Sequence, residues 1–136
     1  MKDIYQHRQH NKNLLMAHII LVTKFRKKLF FGNFINDVKQ YIYDTCVKHH
    51  WYVKRMETDK DHIHILLQYN PTDCITDIIR ALKQHSTYYA WKYHSDMLKQ
   101  QYWKHQILWS EGYFAASIGQ VSQAANLPQA SGSLTL

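Results

Sequence analysis

Two histidines one residue apart, His62 and His64, stand in an alternating run, Asp61-His62-Ile63-His64-Ile65-Leu66-Leu67. Successive side chains of a β-strand take opposite faces, so both imidazoles would share one face while Ile63, Ile65 and Leu67 line the other. Same-face neighbours lie about 6–7 Å apart, which lets two rings converge on one metal ion or one phosphate. Paired histidines also occur on the wet side of a half-buried strand with no chemical role, and this chain has ten histidines to distribute. A second group is cationic: Lys24-Phe25-Arg26-Lys27-Lys28, a basic turn with one aromatic. It reads either as a solvated loop or as a phosphate-contacting loop at a strand end. Lys24, Arg26, Lys27 and Lys28 are the first candidates for phosphate contacts, followed by Arg80 and Lys83. His18, in an apolar run, reads as a satisfied core or sheet-face histidine, with a DNA or metal contact as its other reading. Asp59 and Asp61 read as turn-shaping residues; a carboxylate beside the metal is their other reading, and Glu57 could face it from the neighbouring strand.

The elements that would position these groups follow from hydropathy period. Leu14 to Thr23 is an apolar, β-branched run and predicts a central strand. Asn33 to His50 carries Ile35, Val38, Ile42, Cys46 and Val47 near helical period, with Gly32-Asn33 as its cap. Trp51 to Glu57 predicts a second strand, Thr58-Asp59-Lys60 a tight turn, and Asp61 to about Tyr69 the histidine strand, so strands two and three form a hairpin. Asn70-Pro71-Thr72-Asp73 breaks the sheet and starts a helix whose stripe, Ile75, Ile78, Ile79, Leu82, Tyr89, Ala90, Tyr93 and Met97, predicts core packing. Residues 95–106 read as a short helix or loop. Ile107 to Ile118 reads as a bent strand with Gly112 at the bend. The order is that of an α+β, ferredoxin-like βαββαβ domain, an antiparallel sheet with helices on one face. The domain is expected over residues 1–122. Residues 123–136 form an atypical tail in which Pro128 and Gly132 oppose a helix, and no charged residue follows Glu111.

Composition narrows the class. The chain has 136 residues, enough for one domain with its own core, and 17 Lys and Arg stand against 10 Asp and Glu, for a net charge of +7. Aromatic residues make up 14%. Cations meet phosphates and rings stack on unpaired bases, so this mixture suits a nucleic acid. No apolar run is long enough for a membrane span and the N-terminus is too polar for a secretory signal, so a cytoplasmic protein is expected. Cys46 and Cys74 are expected in two different helices, as buried thiols with no disulfide.

Four pieces in order carry a resemblance. They are His18-Ile19-Ile20-Leu21-Val22 with Lys24-Phe25-Arg26-Lys27-Lys28-Leu29; Asp59-Lys60-Asp61-His62-Ile63-His64-Ile65-Leu66; Ile79-Arg80-Ala81-Leu82-Lys83 with Ser86; and Trp109-Ser110-Glu111-Gly112-Tyr113-Phe114 with Ser117-Ile118-Gly119. Over residues 14–122 the chain resembles the small HUH-type, tyrosine-dependent single-strand transposases of bacterial insertion sequences (the IS-two-hundred type). The resemblance implies a homodimer that binds a single-stranded DNA hairpin at a transposon end, cuts one strand and rejoins ends. It implies His62 and His64 as ligands of a divalent cation, Mg²⁺ or Mn²⁺, which would polarise the scissile phosphate. It implies a Tyr phenolate that attacks phosphorus and forms a phosphotyrosine. In the family that Tyr lies about ten residues beyond the position of Gly119, which here is Gln129, and a metal-binding Gln follows at the position of Ser133. No Tyr occurs after Tyr113, which lies in a structural stretch and is a weak substitute. Tyr88, Tyr89 and Tyr93 read as core or helix-surface aromatics. The expectation is therefore a frameshifted or truncated copy that lacks its nucleophile. The alternative to a strand-transferring enzyme is a non-cleaving hairpin-binding protein that regulates an active relative. A ferredoxin-like RNA-binding domain is a more distant third reading and would not need the histidine pair.

Overall fold

The computed structural model describes residues 15–119. Four strands, β1 (Leu15–Val22), β2 (Tyr52–Thr58), β3 (His62–Tyr69) and β4 (Phe114–Gly119), form one sheet in the order β2-β3-β1-β4. Every neighbouring pair is antiparallel. Helix α1 (Gly32–Lys48) links β1 to β2, and α2 (Ile75–Tyr102) links β3 to β4. This is the expected ferredoxin-like arrangement, with both helices on one face.

Period-2 patterning decides which face that is. Ala17, Ile19 and Leu21 of β1 and Ile63, Ile65 and Leu67 of β3 are fully buried and meet the helices. The intervening residues, His18, Ile20, His62 and His64, point to the outer face and are half-buried. Helix α1 contributes Phe34, Val38, Ile42 and Cys46, and α2 contributes Ile78, Ile79, Leu82, Ala90, Trp91 and Leu98. The α1 set recurs every four residues and the α2 set at one-, three-, seven- and eight-residue steps, each the stripe an amphipathic helix buries.

Several boundaries differ from the sequence expectation. Helix α1 starts at Gly32, with Phe31 at the cap position and no side-chain cap, so Asn33 lies inside the first turn. Gly32 has φ of 60°, a left-handed conformation in which glycine meets no steric penalty. Helix α2 does not stop near Met97. It runs 28 residues to Tyr102, across a kink at His94 (φ −132°). Leu98 and Tyr102, four residues apart and both buried, hold this last stretch against the body despite its polar composition. The kink is tied to α1 by a 2.8 Å contact between His94 Nε2 and Asp37 Oδ2.

Tyr89 and Tyr93 are exposed, the helix-surface alternative and not the core packing expected of their stripe. With Tyr41, Thr45, His85 and Tyr88 they line a groove of about 520 Å³ between α1 and α2. Cys46 is buried as expected, and burial pushes its thiol up to about 12. Cys74 is not buried. It occupies the cap position before α2, exposed, where hydrogen bonds from Thr76 and the backbone of the first turn hold its thiol below the usual range. The bent strand expected over 107–118 resolves into two pieces: a single bridge between Thr23 and Trp109, then β4 beyond Gly112. The expected end of the domain at residue 122 and the tail 123–136 lie outside the described residues. No helix among the described residues is long and apolar enough to cross a membrane.

Candidate nucleic-acid and metal interface

His62 and His64 share the outer face of β3, as the alternation required. Each has one ring nitrogen held. His62 Nδ1 lies 2.9 Å from Asp61 Oδ1. His64 Nε2 lies 2.9 Å from Nδ1 of His18 on the adjacent strand β1. The register makes that contact a diagonal one, since Ile20 is directly opposite His64 and Leu66 directly opposite His18. Burial, and then the neighbouring His64, hold the His18 imidazole below its ordinary pKa. A neutral ring that bonds through one nitrogen keeps a single remaining site, here His62 Nε2 and His64 Nδ1.

Asp61 anchors more than His62. Its second oxygen accepts a hydrogen bond from Arg26 Nε at 3.3 Å, and its backbone carbonyl accepts from Thr23 N at 2.9 Å. The hydrogen bond from His62, then the Arg26 charge working against partial burial, holds the Asp61 carboxyl below the usual carboxylate range. Asp61 is therefore the joint between the histidine strand and the basic turn, a role that the turn-shaping reading did not contain. Asp59 has the turn role expected of it, accepting from Lys60 N at 2.7 Å. Glu57 sits on β2 directly opposite His64, exposed.

The basic segment follows β1 as a short 3-10 turn, Lys24–Arg26. Phe25 and Arg26 both have positive φ, 62° and 52°, although neither is glycine. Such conformations carry a cost and persist only where surroundings enforce them. The enforcing bonds are visible: Lys24 N donates to Leu108 O at 2.8 Å, the Tyr102 hydroxyl donates to Lys24 O at 2.8 Å, and the Thr23 hydroxyl donates to Lys27 O at 2.7 Å. The consequence is that Phe25 projects into solvent, 71% exposed, beside Lys24, whose ammonium lies 5.3 Å from the ring centroid. Lys24 also approaches Glu111 at 4.0 Å. Lys28 is exposed and Lys27 half-buried. The sequence marks Phe25 as the one aromatic of a basic turn, and only the left-handed backbone makes it a presented ring.

The two cations of α2 part company. Arg80 is exposed and pairs with Asp77 at 2.9 Å, one turn back along its own helix. Lys83 is turned inward. Its ammonium donates to the carbonyls of Ser110, Glu111 and Gly112 at 2.9, 3.1 and 3.0 Å. A lysine has three N–H donors, so this one clamps the loop into β4 rather than facing solvent. Lys83 also lies 5.8 Å from the ring of Tyr113, which is exposed just before β4. Tyr88, Tyr89 and Tyr93 are in the α1–α2 groove, with the sheet between them and the histidine face. Gln129 and Ser133 lie outside the described residues.

The donor set fits a divalent cation in part. His62, with one nitrogen fixed on a carboxylate and the other on the outer face, has the arrangement of an oriented metal ligand. No group of three or more His, Cys, Asp or Glu among the described residues is placed to hold a metal ion. Two imidazoles would therefore need oxygen donors from elsewhere.

A four-stranded antiparallel sheet thus carries a histidine pair on its outer face and a basic turn at one end. The family model described as "Transposase IS200 like" matches residues 11–127, and the chain belongs to that family. Among curated relatives, the ISDra2 transposase TnpA of Deinococcus radiodurans is 27% identical over 110 residues, covering 81% of this chain and 77% of that protein. The transposase for insertion sequence element IS200 of Salmonella typhimurium is 26% identical over 103 residues, covering 76% of this chain and 66% of that protein. Among solved structures, a transposase candidate from Deinococcus radiodurans superposes with a TM-score of 0.71 at 23% identity, covering 88% of this chain and 91% of that one. A REP-associated tyrosine transposase bound to a REP hairpin superposes with a TM-score of 0.54 at 14% identity, covering 79% of this chain and 57% of that one.

Proposed function

We propose that this protein binds the DNA hairpin at the end of an insertion sequence, with the basic turn on the phosphates and a divalent cation held by His62 and His64. The observation that carries the reading is the joint at Asp61, which ties Arg26 of the turn to His62 of the pair within one set of hydrogen bonds. One strand of DNA lying along the turn would bring a phosphate toward the histidine face. Lys24, Arg26, Lys27 and Lys28 supply the charge, and the exposed ring of Phe25 offers a surface on which an unpaired base stacks. Arg80 is a further cation on the surface, while Lys83 serves the loop. The cation, Mg²⁺ or Mn²⁺, would polarise a phosphate held there. Hard Mg²⁺ prefers oxygen, so its affinity for two imidazoles is modest without DNA oxygens completing its shell. The hairpin held by the REP-associated relative supports the choice of DNA partner. A homodimer is part of the same proposal and rests on the resemblance.

Cutting is a separate matter from binding. A carboxamide is no nucleophile, and Gln129 stands where the resemblance puts the attacking Tyr. The reading that follows is a protein that occupies transposon ends without cleaving them. Mixing purified protein, Mn²⁺ and a labelled hairpin from its own element's end tests this. A shifted band on a native gel with no covalent band on a denaturing gel is the expected result. A covalent protein–DNA band that disappears in His62→Ala would establish the enzyme reading instead, with Tyr113 the first residue to replace.

A further inference from the structure

We propose that His18 is a positioning residue for the cation: its Nδ1 accepts the proton of His64 Nε2 and so leaves His64 Nδ1 as the ligating nitrogen. The inference rests on the metal reading above and extends it to a strand that the histidine pair does not include. A neutral imidazole carries one proton on two nitrogens, and the nitrogen without it is the only one able to ligate. The 2.9 Å contact between His18 Nδ1 and His64 Nε2 must contain one proton. If His18 donated it, His64 Nε2 would be the acceptor and its proton would sit on Nδ1, leaving no free lone pair on His64. If His64 donates, its Nδ1 lone pair is free.

The second arrangement makes the two members of the pair equivalent. His62 gives its Nδ1 proton to Asp61 Oδ1 and keeps Nε2, while His64 gives its Nε2 proton to His18 and keeps Nδ1. Each ligand ring then has a fixed tautomer and a fixed orientation, one through a carboxylate on its own strand, the other through an imidazole across the sheet. The rings of His18 and His64 are 5.0 Å apart and inclined at 50°, a hydrogen-bonded rather than stacked pair. The core-facing neighbours of both residues, Ala17, Ile19, Ile63 and Ile65, are completely buried, so neither backbone can shift to remake the contact.

The test is Mn²⁺ binding to the full chain, followed by the loss of the free-ion electron paramagnetic resonance signal, together with ¹⁵N shifts of the imidazoles in metal-free protein. His62→Ala and His64→Ala are expected to remove binding. His18→Ala is expected to weaken it about 10–100-fold, the usual cost of losing the partner of a metal-ligating histidine. His18→Asn puts a carbonyl oxygen near the place of Nδ1 and is expected to restore affinity to within about threefold of wild type. The shifts are expected to show His64 protonated on Nε2. Wild-type affinity in His18→Ala, or a His64 protonated on Nδ1, would overturn the proposal. Restoration failing in a folded His18→Asn would overturn it too, because a direct ligand and not an acceptor would then be indicated. Unchanged binding in His62→Ala and His64→Ala would instead refute the metal reading beneath it.

Discussion

Single residues in this protein divide by what holds them. Lys83 and Lys28 are both lysines in a basic chain, yet one clamps three carbonyls and the other is exposed. The cysteines divide the same way. Cys46 is buried with its thiol pushed up to about 12, whereas Cys74 is exposed and held below the usual range by hydrogen bonds at the start of α2. A thiol reacts as its thiolate, so lowering the pKa raises the reactive fraction at a given pH and raising it lowers that fraction. Titration of the native protein with a disulfide reagent at neutral pH is expected to modify one thiol, lost in Cys74→Ser, with the second appearing only after denaturation. Two thiols reacting at similar rates in the native state would contradict the placement of Cys46. Only part of this division is readable locally. Sequence patterning placed Cys46 correctly on the apolar stripe of α1, but the exposure of Cys74 depends on where α2 begins.

Elements show which signals survive without tertiary knowledge. The histidine strand was legible because period-2 alternation and burial point the same way over Asp61–Leu67. The order of the six elements along the chain is legible too, and with it the fold class. Helix α2 was misjudged at its end because Lys99, Gln100 and Gln101 look like loop, while Leu98 and Tyr102 do the packing. The left-handed turn at Phe25 carries no glycine to announce it, and the contact of His18 with His64 exists only because β1 lies beside β3. Besides the Lys83 clamp, a buried polar bond holds the approach to β4. Trp109 Nε1 donates to Ser86 Oγ at 2.9 Å, and both residues are buried. Ser86→Ala leaves the indole N–H without an acceptor, which costs about 1–3 kcal/mol. Urea unfolding is expected to show that loss as a lower midpoint with an unchanged slope. A midpoint equal to wild type would mean that water reaches the indole.

For the whole molecule the central matter is charge and where it sits. The net charge of +7 gives attraction to any polyanion, and attraction alone does not distinguish a specific hairpin from an arbitrary strand. The fold concentrates Lys24, Arg26, Lys27 and Lys28 at one end of β1, next to Asp61 and the histidine face. Backbone bonds to Leu108 on one side and to the adjacent Lys60 and Asp61 on the other hold this turn, so it is presented as a fixed surface. A fixed cationic surface favours a DNA shape over a flexible strand, since less order must be imposed on binding.

The most direct measurement is the equilibrium affinity for a labelled hairpin, followed by fluorescence anisotropy across a salt series, for wild type and for the Lys27→Ala/Lys28→Ala double variant. Binding to the hairpin is expected to be tighter than to an unstructured strand of equal length and composition. The log–log salt slope is expected to be shallower by about one to two in the double variant, as phosphate contacts are lost. Equal affinity for hairpin and unstructured strand, or an unaltered slope in the double variant, would contradict the assignment of this turn as the DNA-binding surface.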